Sequence, residues 1–123
     1  DIHREIDLFC QQNGIPRNKG VLLAIAFEEA ALNIINHNEH VSMIDICLLL
    51  EEGSLIVRIR DDGAPFDPLA FVDDEDILQM NNIRLLERLT DQKTYTRIMN
   101  MNNTVLSIRL EAAENDGAND GTC

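Results

Sequence analysis

The feature that most constrains the fold is a long helical pattern whose middle is apolar on nearly every side. Residues 17–38 consist mostly of good helix formers, and Pro16 suits the entry to such a helix because its φ angle is already helical. The stretch Val21–Ala31 is apolar nearly all round, which indicates a helix buried between other elements. The rest of the chain must therefore supply the layers that cover it.

The remaining pattern predicts a further helical layer and a sheet built from hairpins. A first helix is expected over residues 3–12, ending at Asn13-Gly14, and a short one over residues 82–90. The predicted strands are residues 41–50, 55–60, 93–99 and 105–110. This order of elements predicts an α+β fold, a two-layer sandwich with a mixed, mostly antiparallel sheet and helices on one face.

Size and charge limit the number of domains and the classes of partner that the chain can have. A chain of 123 residues with 45% hydrophobic residues suits one domain with a real core, expected over residues 1–111. Residues 112–123 are rich in Glu, Asp, Asn and Gly, and are expected to form a disordered acidic tail. The net charge of −12 disfavours nucleic acid and anionic lipid as partners, but one nucleotide can still be held by backbone amides and a cation.

The cysteines and the absence of long apolar runs predict a cytoplasmic domain. Cys10, Cys47 and Cys123 are widely spaced with no CxxC pair, which is typical of a reducing compartment and gives no metal site. Cys47 is expected to be a buried small hydrophobe, and Cys123 a free thiol. The apolar stretches are far below the roughly 20 residues that cross a bilayer. Because the chain starts at Asp1 without Met, we expect it to be a segment of a longer protein.

The long helix carries a polar stripe, since Glu29, Asn33 and His37 are spaced i, i+4 and i+8 on an otherwise apolar surface. A carboxylate one turn from a carboxamide oxygen could orient a nucleophile and a hard cation together. The alternative is that the stripe is only the solvent-facing edge of an amphipathic helix. Spacing alone favours this second interpretation.

A second group of polar residues follows directly after a predicted strand, in the sequence RDDGAPFDP from Arg60 to Pro68. Asp61 falls where the strand ends, so its side chain can point into a cleft while its backbone stays anchored. Gly63 permits a close approach of the backbone to a flat ligand such as a purine. For such a segment alone, a Gly/Pro turn with solvated acids is the favoured alternative.

Taken together, in this order, the two motifs resemble a known family. The stretch FEEAALNIINH resembles the N-box of the superfamily of gyrase, heat-shock chaperone, histidine kinase and mismatch-repair ATPases, whose ATP-binding domain is called the Bergerat fold. The strand ending in IRDDGAPFDP resembles its first glycine box in the form found in anti-sigma-factor serine kinases. YTRIMNMNNTVLSIRL resembles the closing hairpin, where Tyr95 is followed seven residues later by Asn102. The resemblance covers roughly residues 3–110.

The resemblance implies roles for individual residues. Glu29 matches the general base of the kinases, and Asn33 matches the Mg²⁺ ligand through which the metal holds the phosphates. Asp61 matches the carboxylate that accepts a hydrogen bond from the adenine amino group. The implied nucleotide-binding residues are Asn33, His37, Asp61, Gly63 and Pro65, with Gly63 against the ring and His37 in a supporting role.

The second glycine box departs from the family pattern. Met80 and Asn82 stand where its glycines are expected, and the chain has no glycine between Phe71 and Leu89. Asn tolerates left-handed backbone better than Met does. The short strand that usually opens the fold would lie before Asp1. We therefore expect adenosine or ADP binding to survive better than discrimination for ATP.

The implied function is an ATP- and Mg²⁺-dependent regulatory domain that phosphorylates a Ser or Thr of a partner protein, or sequesters that partner, as sigma-factor regulators do. The resemblance also suggests a homodimer. Two alternatives stay open: a degenerate, non-catalytic interaction module, and the ATP-binding half of a sensor histidine kinase. The PFDP form of the first glycine box favours the serine-kinase branch over the sensor kinase.

Overall fold

The computed structural model describes residues 1–38, 40–69 and 84–110, and within these ranges it has two long helices and four strands. The elements are α1 (Ile2–Gln12), α2 (Arg17–His37), β1 (Ile44–Glu51), β2 (Ser54–Asp61), β3 (Gln92–Ile98) and β4 (Met101–Arg109). Residues 84–89 are also helical. Both long helices were predicted within one residue of these bounds.

The four strands form one sheet in the order β1-β2-β4-β3, and each of its pairings is antiparallel. Two tight hairpins connect neighbouring strands. Glu52 and Gly53 have φ angles of 49° and 77°, and Met99 and Asn100 have 53° and 63°. Paired positive φ angles are the signature of type I′ turns, whose twist matches that of the strands they join.

The core lies between one face of the sheet and α2. Leu55, Val57 and Ile59 alternate along β2 and are fully buried, whereas Ile56 and Arg58 on the opposite face are partly exposed. The helical side contributes buried side chains throughout α2, namely Leu23, Ala24, Ala26, Phe27, Ala30 and Ile34. The predicted α+β architecture with helices on one face of the sheet is therefore confirmed.

Helix α1 packs closely on the first turns of α2, and Gly20 makes this approach possible. A Cβ atom at Gly20 would lie 2.7 Å from Sγ of Cys10 and 3.4 Å from Cγ2 of Ile6. Cys10 is a free, buried thiol whose pKa is raised to about 11, mainly because burial disfavours the thiolate and secondarily because Asp7 is nearby. Cys10 is thus an inert packing residue.

Two expectations require correction. Strand β4 begins at Met101 rather than at Val105, because the Asn102-Asn103 pair lies inside the sheet despite its low strand propensity. Cys47 is buried as expected, but it is disulfide-bonded and is therefore not the simple small hydrophobe that was expected.

Several expectations fall outside the described residues. The substituted glycine-box positions Met80 and Asn82 and the acidic tail predicted over residues 112–123 lie there. Among the described helices, none combines the length and the apolar character that a membrane span requires.

Candidate functional site

Three elements bring their polar ends together at one edge of the core. Asp61 is the last residue of β2, and the sheet register places it opposite Asn102 near the start of β4. Asn38, directly after α2, reaches the same point. All three side chains are buried, with exposed fractions of 0% for Asp61, 0% for Asn102 and 7% for Asn38. Buried polar groups need partners, so their hydrogen bonds define the site.

The two oxygens of Asp61 have opposite surroundings. Oδ1 accepts from the backbone N–H of Gly63 at 3.0 Å, from Nδ2 of Asn102 at 2.8 Å and from Nδ2 of Asn38 at 3.5 Å. Oδ2 is equally buried, but no donor among the described residues reaches it. A buried carboxylate oxygen without a donor is costly, which makes Oδ2 an acceptor site for an external N–H group.

Asn38 and Asn102 form a pair that we call the amide clamp. Besides their bonds to Asp61, both donate through Nδ2 to the carbonyl oxygen of Ala64, at 3.0 Å from Asn38 and 2.9 Å from Asn102. The clamp therefore holds the end of β2 and the loop after it from the α2 side and from the β4 side at once.

Thr104 adds a second buried oxygen without a partner. It lies two residues after Asn102 on β4, so both side chains point to the same face of the sheet. Thr104 is 0% exposed, and Oγ1 has no hydrogen-bond partner among the described residues. Within the described ranges, the inner face at this end of the sheet thus carries two oxygens without a donor or acceptor, Oδ2 of Asp61 and Oγ1 of Thr104.

Gly63 is required by packing against the segment after α2. A Cβ atom there would lie 2.5 Å from Nδ2 of Asn38 and 2.6 Å from Cγ2 of Val41, distances that real Cβ contacts do not show. This contact accounts for a residue without a side chain at position 63. The contact with a purine ring stays a prediction.

Asp62 and Pro65 lie in the same loop but have different surroundings. Asp62 accepts from the backbone N–H groups of Ser42 at 2.9 Å and Met43 at 3.0 Å, and from the Ser42 hydroxyl at 2.5 Å. These bonds stabilise the carboxylate and lower the pKa of Asp62 to about 2. Pro65, one of the predicted site residues, is exposed in the turn that follows.

The three residues of the polar stripe of α2 differ in burial. Asn33 is 3% exposed, Glu29 is half-buried with a fully buried Oε2, and His37 is exposed in the last turn. The interpretation of the stripe as a solvent-facing edge is therefore wrong for Asn33 and for Oε2 of Glu29. The residue after His37, Asn38, is the one that contacts Asp61.

Asn33 and Glu29 each leave one oxygen available for chemistry. Nδ2 of Asn33 donates to the carbonyl oxygen of Pro68 at 3.0 Å, and this fixes the amide with its Oδ1 as the remaining acceptor. Oε2 of Glu29 has no hydrogen-bond partner among the described residues. Burial, and then the neighbouring charge of Glu28, raises the pKa of Glu29.

Of the predicted site residues, Asp61 and Gly63 share the amide-clamp region, and Asn33 is linked to the same loop through Pro68. Sequence reasoning did not identify Asn38 or Thr104. The signal for Thr104 is its period-2 spacing from Asn102, and in the sequence Asn102 stands out only through the resemblance of its hairpin to the family's closing hairpin. Asn38 gave no signal beyond its place after the stripe.

The comparisons with known proteins identify the family of the domain. The family model described as "Histidine kinase-like ATPase domain" matches residues 2–110. No curated protein matches the chain.

Proposed function

The chain belongs to the histidine kinase-like ATPase domains, a membership that implies ATP binding, and on this premise we propose that Asp61 recognises the adenine base. The observation that carries the proposal is the buried Oδ2 of Asp61, which no donor in the described part of the chain reaches. The adenine amino group is an N–H donor, and it would satisfy this oxygen. A base with an oxygen in that place would leave Oδ2 facing another acceptor, which is unfavourable in a buried site.

Thr104 is proposed as the second contact to the base. Its hydroxyl can donate to a ring nitrogen of adenine or accept from the amino group, and in either case its buried Oγ1 gains the partner that it lacks. A donor–acceptor pair on one face of the sheet, from β2 and the neighbouring β4, would orient the base as well as bind it.

Asn33 is proposed as the residue that holds Mg²⁺ against the phosphates. Its Oδ1 is the kind of hard oxygen ligand that Mg²⁺ takes, and the bond from Nδ2 to Pro68 presents the oxygen rather than the nitrogen. Mg²⁺ bound there would neutralise phosphate charge, which matters in a protein with a net charge of −12. His37 and Pro65 complete the proposed nucleotide site as supporting residues.

Glu29 is proposed as the general base of phosphoryl transfer. Oε2 would take the proton of an acceptor Ser or Thr hydroxyl as that oxygen bonds to the γ-phosphorus, and the bond from the γ-phosphorus to the bridging oxygen of ADP breaks. The raised pKa of Glu29 supports this role because it makes the carboxylate a stronger base.

We propose a regulatory setting in which the acceptor hydroxyl belongs to a partner protein of the sigma-factor or antagonist type, in the cytoplasm, with the domain as a homodimer. The Glu29→Gln variant should still bind Mg-ATP and should lose phosphoryl transfer, measured with γ-labelled ATP. Undiminished transfer by this variant would remove Glu29 from the mechanism.

Calorimetric titration with ATP and ADP, with and without Mg²⁺, tests the nucleotide site directly. Asp61→Asn should weaken nucleotide binding by about five- to 150-fold, since a lost or reversed hydrogen bond in a buried site costs about 1–3 kcal/mol. Asp45→Asn is the matched control, because this exposed carboxylate pairs with Arg60 on the opposite face of the sheet. Equal losses in both variants, or no loss in either, would refute the assignment.

A non-catalytic interaction module is the second candidate function, and the sequence observation that favours it is Met80 and Asn82 at the expected glycine positions. Such a module would bind adenosine, ADP and ATP equally weakly. ATP that binds more tightly in the presence of Mg²⁺ than in its absence argues against this candidate.

A further inference from the structure

Asn102 uses every polar atom of its side chain inside the protein. Its Nδ2 donates to Oδ1 of Asp61 at 2.8 Å and to the carbonyl oxygen of Ala64 at 2.9 Å. Its Oδ1 accepts from the Tyr95 hydroxyl at 2.5 Å, from Nη1 of Arg97 at 3.0 Å and, more weakly, from the backbone N–H of Phe66 at 3.4 Å. A buried amide bonded in this way can hold only one orientation.

The donors around Oδ1 decide which end of the amide meets Asp61. An arginine N–H and a backbone N–H can only donate, so the side-chain atom that faces them must be the oxygen. Arg97 is itself fixed by a second bond from Nη1 to the carbonyl oxygen of Gly63 at 2.8 Å. The nitrogen of Asn102 is therefore directed at Asp61.

This orientation makes the two Asp61 oxygens inequivalent. A free carboxylate presents two equal acceptors and can rotate between them. With Asn102, Asn38 and the Gly63 N–H on one oxygen, that side is saturated, and only the other oxygen is open to a ligand. The bond from Asn102 is the shorter of the two amide bonds, 2.8 Å against 3.5 Å from Asn38, so Asn102 carries more of this constraint.

We propose that Asn102 is a positioning residue that sets base selectivity, by holding Asp61 with a single open acceptor toward the base. This inference depends on the proposed adenine site at Asp61. Asn102 itself does not contact the nucleotide in this scheme. Its loss should therefore reduce the preference for adenine over a base that carries an oxygen in place of the amino group.

The test is the ratio of affinities for ADP and inosine diphosphate, which differ at that position of the base. Asn102→Leu keeps the approximate size of the side chain and removes its hydrogen bonds. It should lower the ADP preference about tenfold or more. Asn103→Leu is the matched control, because Asn103 lies on the opposite face of the same strand and bonds only locally, to the Met101 carbonyl at 3.3 Å. This control should keep the wild-type ratio.

The Asn102→Asp variant should give a pH-dependent base preference, which a loss of packing alone would not produce. The titratable and charged groups that face position 102 are Asp61, Tyr95 and Arg97. At pH 8 a second carboxylate would repel Asp61 and abolish the donor. Near pH 5.5 a proton shared between the two carboxylates would replace that donor, so the ADP preference should recover on acidification.

The outcomes separate the two proposals. Wild-type protein that does not bind ADP refutes the proposed function. Wild-type protein that prefers ADP, beside Asn102 variants with an unchanged ratio at pH 8, overturns this inference alone. If Asn102→Leu does not fold, the decision rests on Asn102→Asp, and a low ratio that stays low at pH 5.5 also overturns it.

Discussion

Gly63→Ala should destabilise the protein through a collision whose size the structure gives. The added Cβ would lie 2.5 Å from Nδ2 of Asn38 and 2.6 Å from Cγ2 of Val41, against about 3.4 Å for ordinary contact. One side or the other must therefore move by nearly 1 Å. Because Asn38 is held by the Ala64 carbonyl at 3.0 Å, such a movement also breaks a partly buried hydrogen bond.

The expected cost follows from these two effects. Overpacking costs about 1–3 kcal/mol, and the broken hydrogen bond about 1 kcal/mol. Alanine reduces the entropy of the unfolded chain, which offsets about 0.4–1 kcal/mol. The free energy of unfolding should thus fall by about 1–3.5 kcal/mol, which lowers the Tm by several degrees in a domain of this size.

Thermal and urea denaturation, followed by circular dichroism, measure this loss. The double variant Asn38→Ala/Gly63→Ala removes the nearer of the two colliding groups, so its loss should be smaller than the sum of the two single losses. Additive losses, or a Gly63→Ala variant as stable as the wild type, would refute the packing explanation of Gly63.

Three further variants test other features. Asp61→Asn should invert the base preference, because the three donors on Oδ1 keep an oxygen there and direct the new NH₂ group to the position of Oδ2. Calorimetry should then give tighter binding of inosine diphosphate than of ADP. A retained preference for ADP contradicts this. Glu29→Gln should raise the Tm at pH 7. The pKa of Glu29 is raised in the folded protein, so the folded state loses stability when Glu29 ionises as the pH rises through that pKa, and glutamine removes this loss. The gain should disappear below about pH 4, where glutamate is protonated in the unfolded chain too, and a gain that does not depend on pH contradicts the assignment. Gly20→Ala should destabilise by about 1–3 kcal/mol, since its Cβ would lie 2.7 Å from Sγ of Cys10. Adding Cys10→Ala should restore part of that loss in urea denaturation, and no restoration would place the collision elsewhere.

The sequence could predict the elements of this fold because their signals are local. The apolar surface of α2 and the alternation along β2 are each visible within a dozen residues, and both elements lie where they were expected. The start of β4 was missed because Asn102 and Asn103 have low strand propensity. Their place in the sheet is set by pairing with Asp61 and Arg60, which are distant in sequence.

The candidate site was less predictable, because its hydrogen bonds connect remote residues. The burial of Asn33 follows from a bond to Pro68, 35 residues away, and the role of Asn102 from bonds to residues 38 and 41 positions away. Spacing along a helix indicates which side chains share a face, but not what lies opposite that face. The resemblance to a family identified Asp61. Only the structure reveals that the donors saturate just one of its two carboxylate oxygens.

The loop after β2 is attached to α2 at two points, through Asn38 to Ala64 and through Asn33 to Pro68. The path from Asn38, just after the helix, back to Asn33 runs beside the path from Ala64 forward to Pro68 in the loop. The two attachments therefore fix the number of loop residues between Ala64 and Pro68. Surface loops ordinarily accept inserted or deleted residues during evolution. Here one residue more or fewer would pull one of the two amides away from its carbonyl. Related proteins that share both asparagines should therefore keep the length of this loop even where its sequence changes.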